Sequence, residues 1–546
     1  MIGGVFFLLG GYGVRGVRQA DQGEDFLRGA LLLSIAALVA KILSAAYRIP
    51  YQNIAGDLGF YVYQQIYPFY GLMVTLSMYG FPVVLSKQIA EYRANGEREE
   101  LKVFVSLAFY GLLLVAVLAT ISLYFFAPAI AQFMGDVALT EPLRAVSFVF
   151  LLMPFLSIGR GITQGQQDML PTALSQVSEQ FVRVVGILIF AIILLTLDYG
   201  PYGAGVGAAY GSLAGAVAAI IVLFLCSRKM VWSDWFQLKE NRFGVFLKQS
   251  LSFFKQSFFI CIGALTFIFF QFVDVFSMIR LLEGYGLDSA AAYYTKSLYD
   301  RGQPILQLGT IVTTTFALAL VPLLSKARSE KQQKQMFFYR NLTLRVTILI
   351  AGVATLGLIV IMEPLNSMLF TDRSGSGVLK VFSLAVFMSA LYMTGAAILQ
   401  GYGQVHLPAI AVMIGVGVKL LLNVMFIPMY GAFGAASATV LSFVVMAGSM
   451  LYGIYKHDQS LWGKGKPYGA VLITFVLLYV TTTIWGTFLG GLLEPSRLHD
   501  TILALSTVVI GAVTVCISVL VLPVFNEKEW ESIPKLNKMR ARFRKV

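Results

Sequence analysis

From residue 26 onward the chain alternates long apolar stretches with short polar ones, and the apolar stretches have the length that crosses a hydrocarbon core. Fourteen can be separated, at about 27–47, 59–83, 103–126, 144–164, 171–197, 203–227, 249–279, 303–325, 342–368, 378–401, 407–428, 432–455, 468–492 and 501–524. The clearest polar breaks are EYRANGEREELK, SRKMVWSDWFQLKENRFGVFLK, SEKQQKQMFFYR and KHDQSLWGKGKPY, before the third, seventh, ninth and thirteenth stretches. The pattern predicts an all-α integral membrane protein.

Three phrases are written twice in the same order. PVVLSKQIAE at 82–91 returns as PLLSKARSE at 322–330, and ITQGQQDMLPTAL at 162–174 returns as ILQGYGQVHLPAI at 398–410. YGPYGAGVGA at 199–208 returns as YGAFGAASAT at 430–439. The separations, about 239, 236 and 231 residues, are close to one period. The echoes pair helix 2 with 8, 5 with 11 and 6 with 12. An even offset keeps both copies in the same orientation, so two six-helix bundles form a parallel repeat, an arrangement typical of transporters. The chain then divides into an N-terminal extension (1–25), an N-lobe (26–228), a cytoplasmic linker (229–248), a C-lobe (249–456), two appended helices (457–525) and a basic cytoplasmic tail (526–546).

Composition agrees with the pattern. Charged residues make up 13% of the chain, about half the roughly 25% that a soluble surface requires. The net charge of +13 does not call for nucleic acid, because lysines and arginines gather in alternate loops. With the N-terminus cytoplasmic, about 28 of them fall inside, about 8 outside and about 5 within helices. This predicts both termini in the cytoplasm. The first fourteen residues, MIGGVFFLLGGYGV, are too short to span and lack the basic start of a signal peptide. Cys226, Cys261 and Cys516 are scattered, as are His406, His457 and His499, so no metal or disulfide framework is expected. No Walker motif is present, and the GVG spacings of AGVGAAYG lack the strand and Lys-Ser/Thr of a nucleotide loop. No cofactor is expected.

Ionisable groups inside membrane helices cost at least about 2.5–3.5 kcal/mol each and mark cavities or partners. Those on the predicted spans are Lys41, Arg48, Glu179, Arg183, Lys255, Asp274, Lys419 and, opening helix 8, Asp300 and Arg301 beside Gln303. Glu179 and Arg183, four apart, share a helix face and read as a structural pair. Lys419 repeats the position of Arg183 relative to a preceding proline, and either snorkels or faces a cavity. Lys41 and Arg301 read as cavity cations able to bind an anionic headgroup, and Asp274 either pairs with a cation or holds a coupling ion.

The stretch 26–92, with LYDRGQPILQLGTIVTTTFALALVPLLSK and AAILQGYGQVHLPAIAVMIGVGVKLLLNV, resembles polysaccharide-biosynthesis flippases of the multidrug/oligosaccharidyl-lipid/polysaccharide superfamily, in the stage V sporulation protein B and MurJ-like branch. The resemblance spans about residues 26–525. It implies two pseudosymmetric lobes, alternating access and an undecaprenyl-pyrophosphate-linked saccharide, such as lipid II, carried to the outer leaflet. It also implies a substrate cavity served by Lys41, Arg48, Asp300, Arg301 and Gln303, with helices 13 and 14 lining a groove for the lipid tail. Arg48 stands one place off the family's second helix-1 cation, and PFYGLMV (68–74) lacks the arginine that relatives carry on helix 2. The implied partners are the lipid-linked substrate, membrane lipids and the cell-wall synthesis machinery, with the chain acting as a monomer. The competing reading is an ion-coupled drug or metabolite exporter of the same superfamily, which uses twelve helices and acidic cavity residues. A membrane-embedded transferase would hold Mg²⁺ with paired acidic clusters, and DQGED (21–25) has no second cluster to match it. A scaffold for cell-wall enzymes has no use for intramembrane charges.

Overall fold

The computed structural model describes residues 35–227, 260–404, 406–458, 466–491 and 496–526, together with residues 33, 253–255, 257–258 and 529–530. The expected extension and linker, and most of the basic tail, lie outside the described residues. Within them every regular element is helical. Among the described residues, eleven helices are long and apolar enough to cross a membrane, or twelve when a bent pair counts as one span. A count of fourteen is compatible with this. The first such helix runs through a kink at Gly56 (φ 69°, ψ −179°) and supplies two of the expected stretches. The segment expected as helix 8, 303–325, lies within a single helix that a separate polar helix precedes.

In chain order, α1 covers residues 35–46 and α2 Arg48–Thr75. A five-residue π-helix, Leu76–Gly80, joins α2 to α3, Phe81–Asn95. Pro82 has no N–H to continue the α ladder, so the chain widens by one residue there. Next come α4 (Arg98–Met134), α5 (Thr140–Ser147), a 3₁₀ segment (Phe148–Leu152) and α6 (Met153–Gly165). Pro154 in the first turn of α6 accounts for the break inside expected helix 4. The first half closes with α7 (Leu170–Thr196) and α8 (Gly200–Cys226).

In the second half a helical segment over residues 253–264 bends by 72° at Leu265 into α9, Thr266–Gly284. Then α10 (Ser289–Asp300) and α11 (Gly302–Ser329) meet at Arg301, so a polar helix that no apolar run announces precedes expected helix 8. The remainder is α12 (Gln333–Phe370), α13 (Ser376–Gly401), α14 (His406–Tyr430) and α15 (Ala432–Asp458), followed by α16 (Lys466–Gly490) and α17 (Arg497–Val521). The last two pack on each other and on α12. Their outer faces, including Leu472, Ile484 and Val521, are exposed apolar surface suited to lipid.

The echoes are matching contacts. In the first half, Gly165 lies against Ile89 and the Ser86 carbonyl, and Gly161 against Leu85. In the second half, Gly401 lies against Leu324. The LSK phrase therefore packs on the QG helix in both copies. Gly200 (φ 66°) and Gly431 (φ 56°) both turn the chain tightly between helices, a backbone that a side chain disfavours.

Small residues set the helix spacing. A Cβ on Gly211 of α8 would stand 2.3 Å from the Ile187 backbone nitrogen of α7, and one on Gly215 would stand 2.7 Å from the Glu179 carbonyl. Gly211→Ala is therefore expected to push α7 off α8 and cost about 1–3 kcal/mol. Gly357→Ala, at a helical glycine with open space around it, should be neutral or slightly stabilising. Thermal unfolding of the two variants in detergent checks the contrast.

Candidate functional site

Polar side chains converge where the two halves meet. Gln64 of α2, Gln271 and Asp274 of α9, Lys296 and Asp300 of α10, and Gln303 of α11 line one small cavity. In this conformation the cavity is narrow, with room for about one water molecule. Lys296, on a segment with no apolar run to reveal it, bonds the Asp300 carboxylate one helical turn on at 2.5 Å. The Gln64 amide donates to the Asp300 carbonyl (3.4 Å) and Gln271 donates to Gln303 (3.1 Å).

Asp274 faces a cation, and that cation is Lys419, whose Nζ lies 2.8 Å from the carboxylate. The Tyr299 hydroxyl (2.9 Å) and the Asn423 amide (3.1 Å) also donate to Asp274. Lys419 donates in addition to Thr439 (2.7 Å), and both charges are fully or almost fully buried. Lys419 therefore does not snorkel, and Asp274 spends its acceptors on protein donors.

The expected Glu179–Arg183 pair does not form. Glu179 is bound by Arg160 of α6 at 2.6 Å and by the Tyr70 hydroxyl at 3.3 Å. Arg160 also donates to Ser175 and to the Ser77 carbonyl, one of the groups that the π-helix loosens from the regular ladder. Side chains four apart can meet, but a guanidinium arriving from α6, anchored on both sides by Ser175 and the Ser77 carbonyl, decides the competition. Arg160, inside IGRGITQG, escapes a reading that looks for charges only along one helix.

Arg183 is left without a carboxylate. Its guanidinium sits 4.9 Å from the Tyr47 ring and 4.6 Å from the Tyr70 ring, with one donation to Ser44 at 3.4 Å. Arg48 is fully buried over Tyr67 at 4.2 Å, and none of its three nitrogens closes a hydrogen bond. Tyr63 and Tyr67 lie within electrostatic reach of both guanidiniums. Two arginines thus share one tyrosine cage inside the first half. Eight lysines and arginines are buried among the described residues, and six of them pair with carboxylates. Arg48 and Arg183 are the two that do not. Lys41 lies two turns before Arg48 on α1, partly buried, and does not line the cavity.

Arg301, expected in the cavity, belongs to a latch at one end of the molecule. It donates to Asp57 (2.9 Å), to both oxygens of Asp372 (2.9 and 3.1 Å) and to Asn366 (3.3 Å). Asp57 follows the kink at Gly56, and Asp372 sits in the turn between α12 and α13. Burial works to raise the Asp372 carboxyl, but the hydrogen bonds and charge of Arg301 prevail and hold it below the usual carboxylate range. The latch therefore stays charged at neutral pH. The same end is tied by Asn53 to the Leu369 carbonyl (3.2 Å), Arg280 to the Gln132 carbonyl (2.7 Å) and Tyr293 to the Gly135 carbonyl (3.1 Å). Towards the other end, Phe253 and Phe254 pack on Phe81, and Cys261 lies against Gly80.

Residues 26–328 match the family described as polysaccharide biosynthesis protein. The chain is 39% identical to the uncharacterized membrane protein YabM of Bacillus subtilis (strain 168), over 94% of this chain and 96% of that one. It is 27% identical to the lipid II flippase MurJ of the same organism, covering 85% and 87%, and 29% identical to its stage V sporulation protein B, covering 78% and 82%. Among solved structures, an inward-facing multidrug resistance MATE family transporter of the MOP superfamily aligns with a TM-score of 0.64 at 18% identity, over 79% of this chain and 98% of that one. The lipid II flippase MurJ in an inward closed conformation aligns with a TM-score of 0.62 at 17% identity, over 90% and 98%. With its apolar helices, its doubled contacts and a match over more than half its length, this chain is a multi-pass membrane protein of the polysaccharide biosynthesis protein family.

Proposed function

We propose that this chain is a flippase that carries an undecaprenyl-pyrophosphate-linked saccharide, a lipid II-like cell-wall or polysaccharide precursor, from the inner to the outer leaflet of the bacterial plasma membrane. One observation carries the reading: Arg48 and Arg183 are buried in a tyrosine cage without a counter-ion. A pyrophosphate diester brings two negative charges, and guanidinium groups grip phosphate oxygens in pairs. While the site is empty, tyrosine faces hold each cation, at roughly 2 kcal/mol for a desolvated contact. The names of two relatives, a lipid II flippase and a sporulation protein, agree with this reading. A cationic drug would meet like charge at this cage, which argues against the exporter alternative despite the MATE-like fold.

In this reading the halves 26–228 and 249–456 rock about the polar centre. Both termini are cytoplasmic, which puts the Arg301 latch on the outer face, closed as it must be before substrate leaves. The appended pair 457–525 accommodates the polyprenyl tail. In this reading a coupling ion at Asp274 is unnecessary, because the Lys419 ammonium already stands against that carboxylate. The membrane potential, at about 2.3 kcal/mol per charge per 100 mV, is then the available driving force.

Native mass spectrometry of the protein purified in mild detergent tests the substrate. Wild type is expected to retain polyprenyl-pyrophosphate sugars, and Arg48→Ala/Arg183→Ala to lose them. Bulk phospholipid alone in both would refute the flippase reading. The role of Lys419 has its own test. Lys419→Met should cost about 3–5 kcal/mol, because it leaves Asp274 as an unpaired buried charge. Adding Asp274→Asn should restore most of that loss in thermal unfolding, and replacing sodium by choline should leave wild-type lipid binding unchanged. Sodium-dependent binding would overturn the argument for a built-in cation.

A further inference from the structure

We propose that Gln64, Gln271 and Gln303 form a saccharide-recognition subsite that reads hydroxyl and amide donors of the sugar. The inference rests on the lipid-linked saccharide reading above and extends it from the pyrophosphate to the headgroup. The three carboxamides come from three helices, and each side chain is more than nine-tenths buried beside the same cavity. Gln64 is on the first half; Gln271 and Gln303 are on the second.

Their hydrogen bonds do not close among themselves. Gln64 spends an N–H on the Asp300 carbonyl, and Gln271 spends one on Gln303. The carbonyl oxygens of Gln64 and Gln271 are buried and accept nothing. The protein itself offers these two acceptors no donor, and a ligand that brings donors satisfies them. Phosphate oxygens only accept, so the anionic part of the ligand cannot supply those donors. Sugar hydroxyls and acylamino groups do, and a carboxamide both accepts from and donates to them. Charge and amide are thus divided along the site. Arg48 lies within electrostatic reach of Asp300 on the cavity wall, so the guanidinium cage and the amide cluster adjoin, as pyrophosphate and first sugar do in the ligand. Because the open acceptors sit on opposite halves, a sugar bound to both would hold the halves together.

The test uses the full chain in detergent and two probes, undecaprenyl pyrophosphate and the same lipid bearing one N-acetylhexosamine, titrated by native mass spectrometry. Wild type is expected to bind the glycosylated lipid about tenfold more tightly. Gln64→Met and Gln271→Met should each lower the ratio to about three, and the double variant to near one. Affinity for the sugar-free lipid should stay within about twofold throughout, which also reports correct folding. A wild-type ratio near one, or a tenfold ratio kept by the double variant, overturns the subsite while leaving the flippase reading intact. Failure of wild type to bind either lipid defeats that reading instead.

Discussion

Positive charge with no counter-ion, held where water cannot reach it, is the constraint around which this molecule is arranged. Burying a cation in a membrane protein costs at least about 2.5–3.5 kcal/mol, and the chain avoids the cost wherever it can. Arg160 meets Glu179, Lys296 meets Asp300, Lys419 meets Asp274, Arg340 meets Asp458 and Arg345 meets Glu529. Against that habit, Arg48 and Arg183 stand out. Aromatic faces make them tolerable but leave all three Arg48 nitrogens and the Arg183 Nε unspent. Glycines on α8 are what let α7 lie close enough to place Arg183 against Tyr47, between α1 and α2, and Tyr70 of α2. Packing and charge therefore serve one arrangement.

Sequence periodicity exposed most of the architecture, because apolar length and the doubled phrases are local signals. The LSK and QG echoes looked like punctuation taken singly, yet they are the two sides of one helix contact made twice. Ion-pair partners were much less legible. Spacing along α7 favoured Glu179 with Arg183, whereas Arg160 arrives from another helix and takes the carboxylate. Lys296 was invisible for a different reason: α10 is a polar helix with no apolar run, so its sequence, SAAAYYTKSLYD, passed for a loop. The glutamines were the least legible of all, since an uncharged amide carries no cost signal until its partners are known. Gln303 was noticed only because it stands beside a charged pair.

Asp300 and Arg301 show how one residue of offset divides two tasks. Successive residues on a helix point about 100° apart, so Asp300 turns its carboxylate to Lys296 on the cavity wall while Arg301 turns outward to Asp57 and Asp372. Both sit at the junction of α10 and α11, where the helix is already interrupted. A ligand that draws Lys296 away from Asp300 acts on the same short stretch of backbone that carries the latch. The Asp300 carbonyl, to which Gln64 is bonded, stands one residue from the Arg301 that holds Asp57. The cavity wall and the latch thus share one short stretch of backbone. In the proposed flippase a ligand acts through that stretch, because a bound ligand can only shift a conformational equilibrium through contacts that differ between the two states.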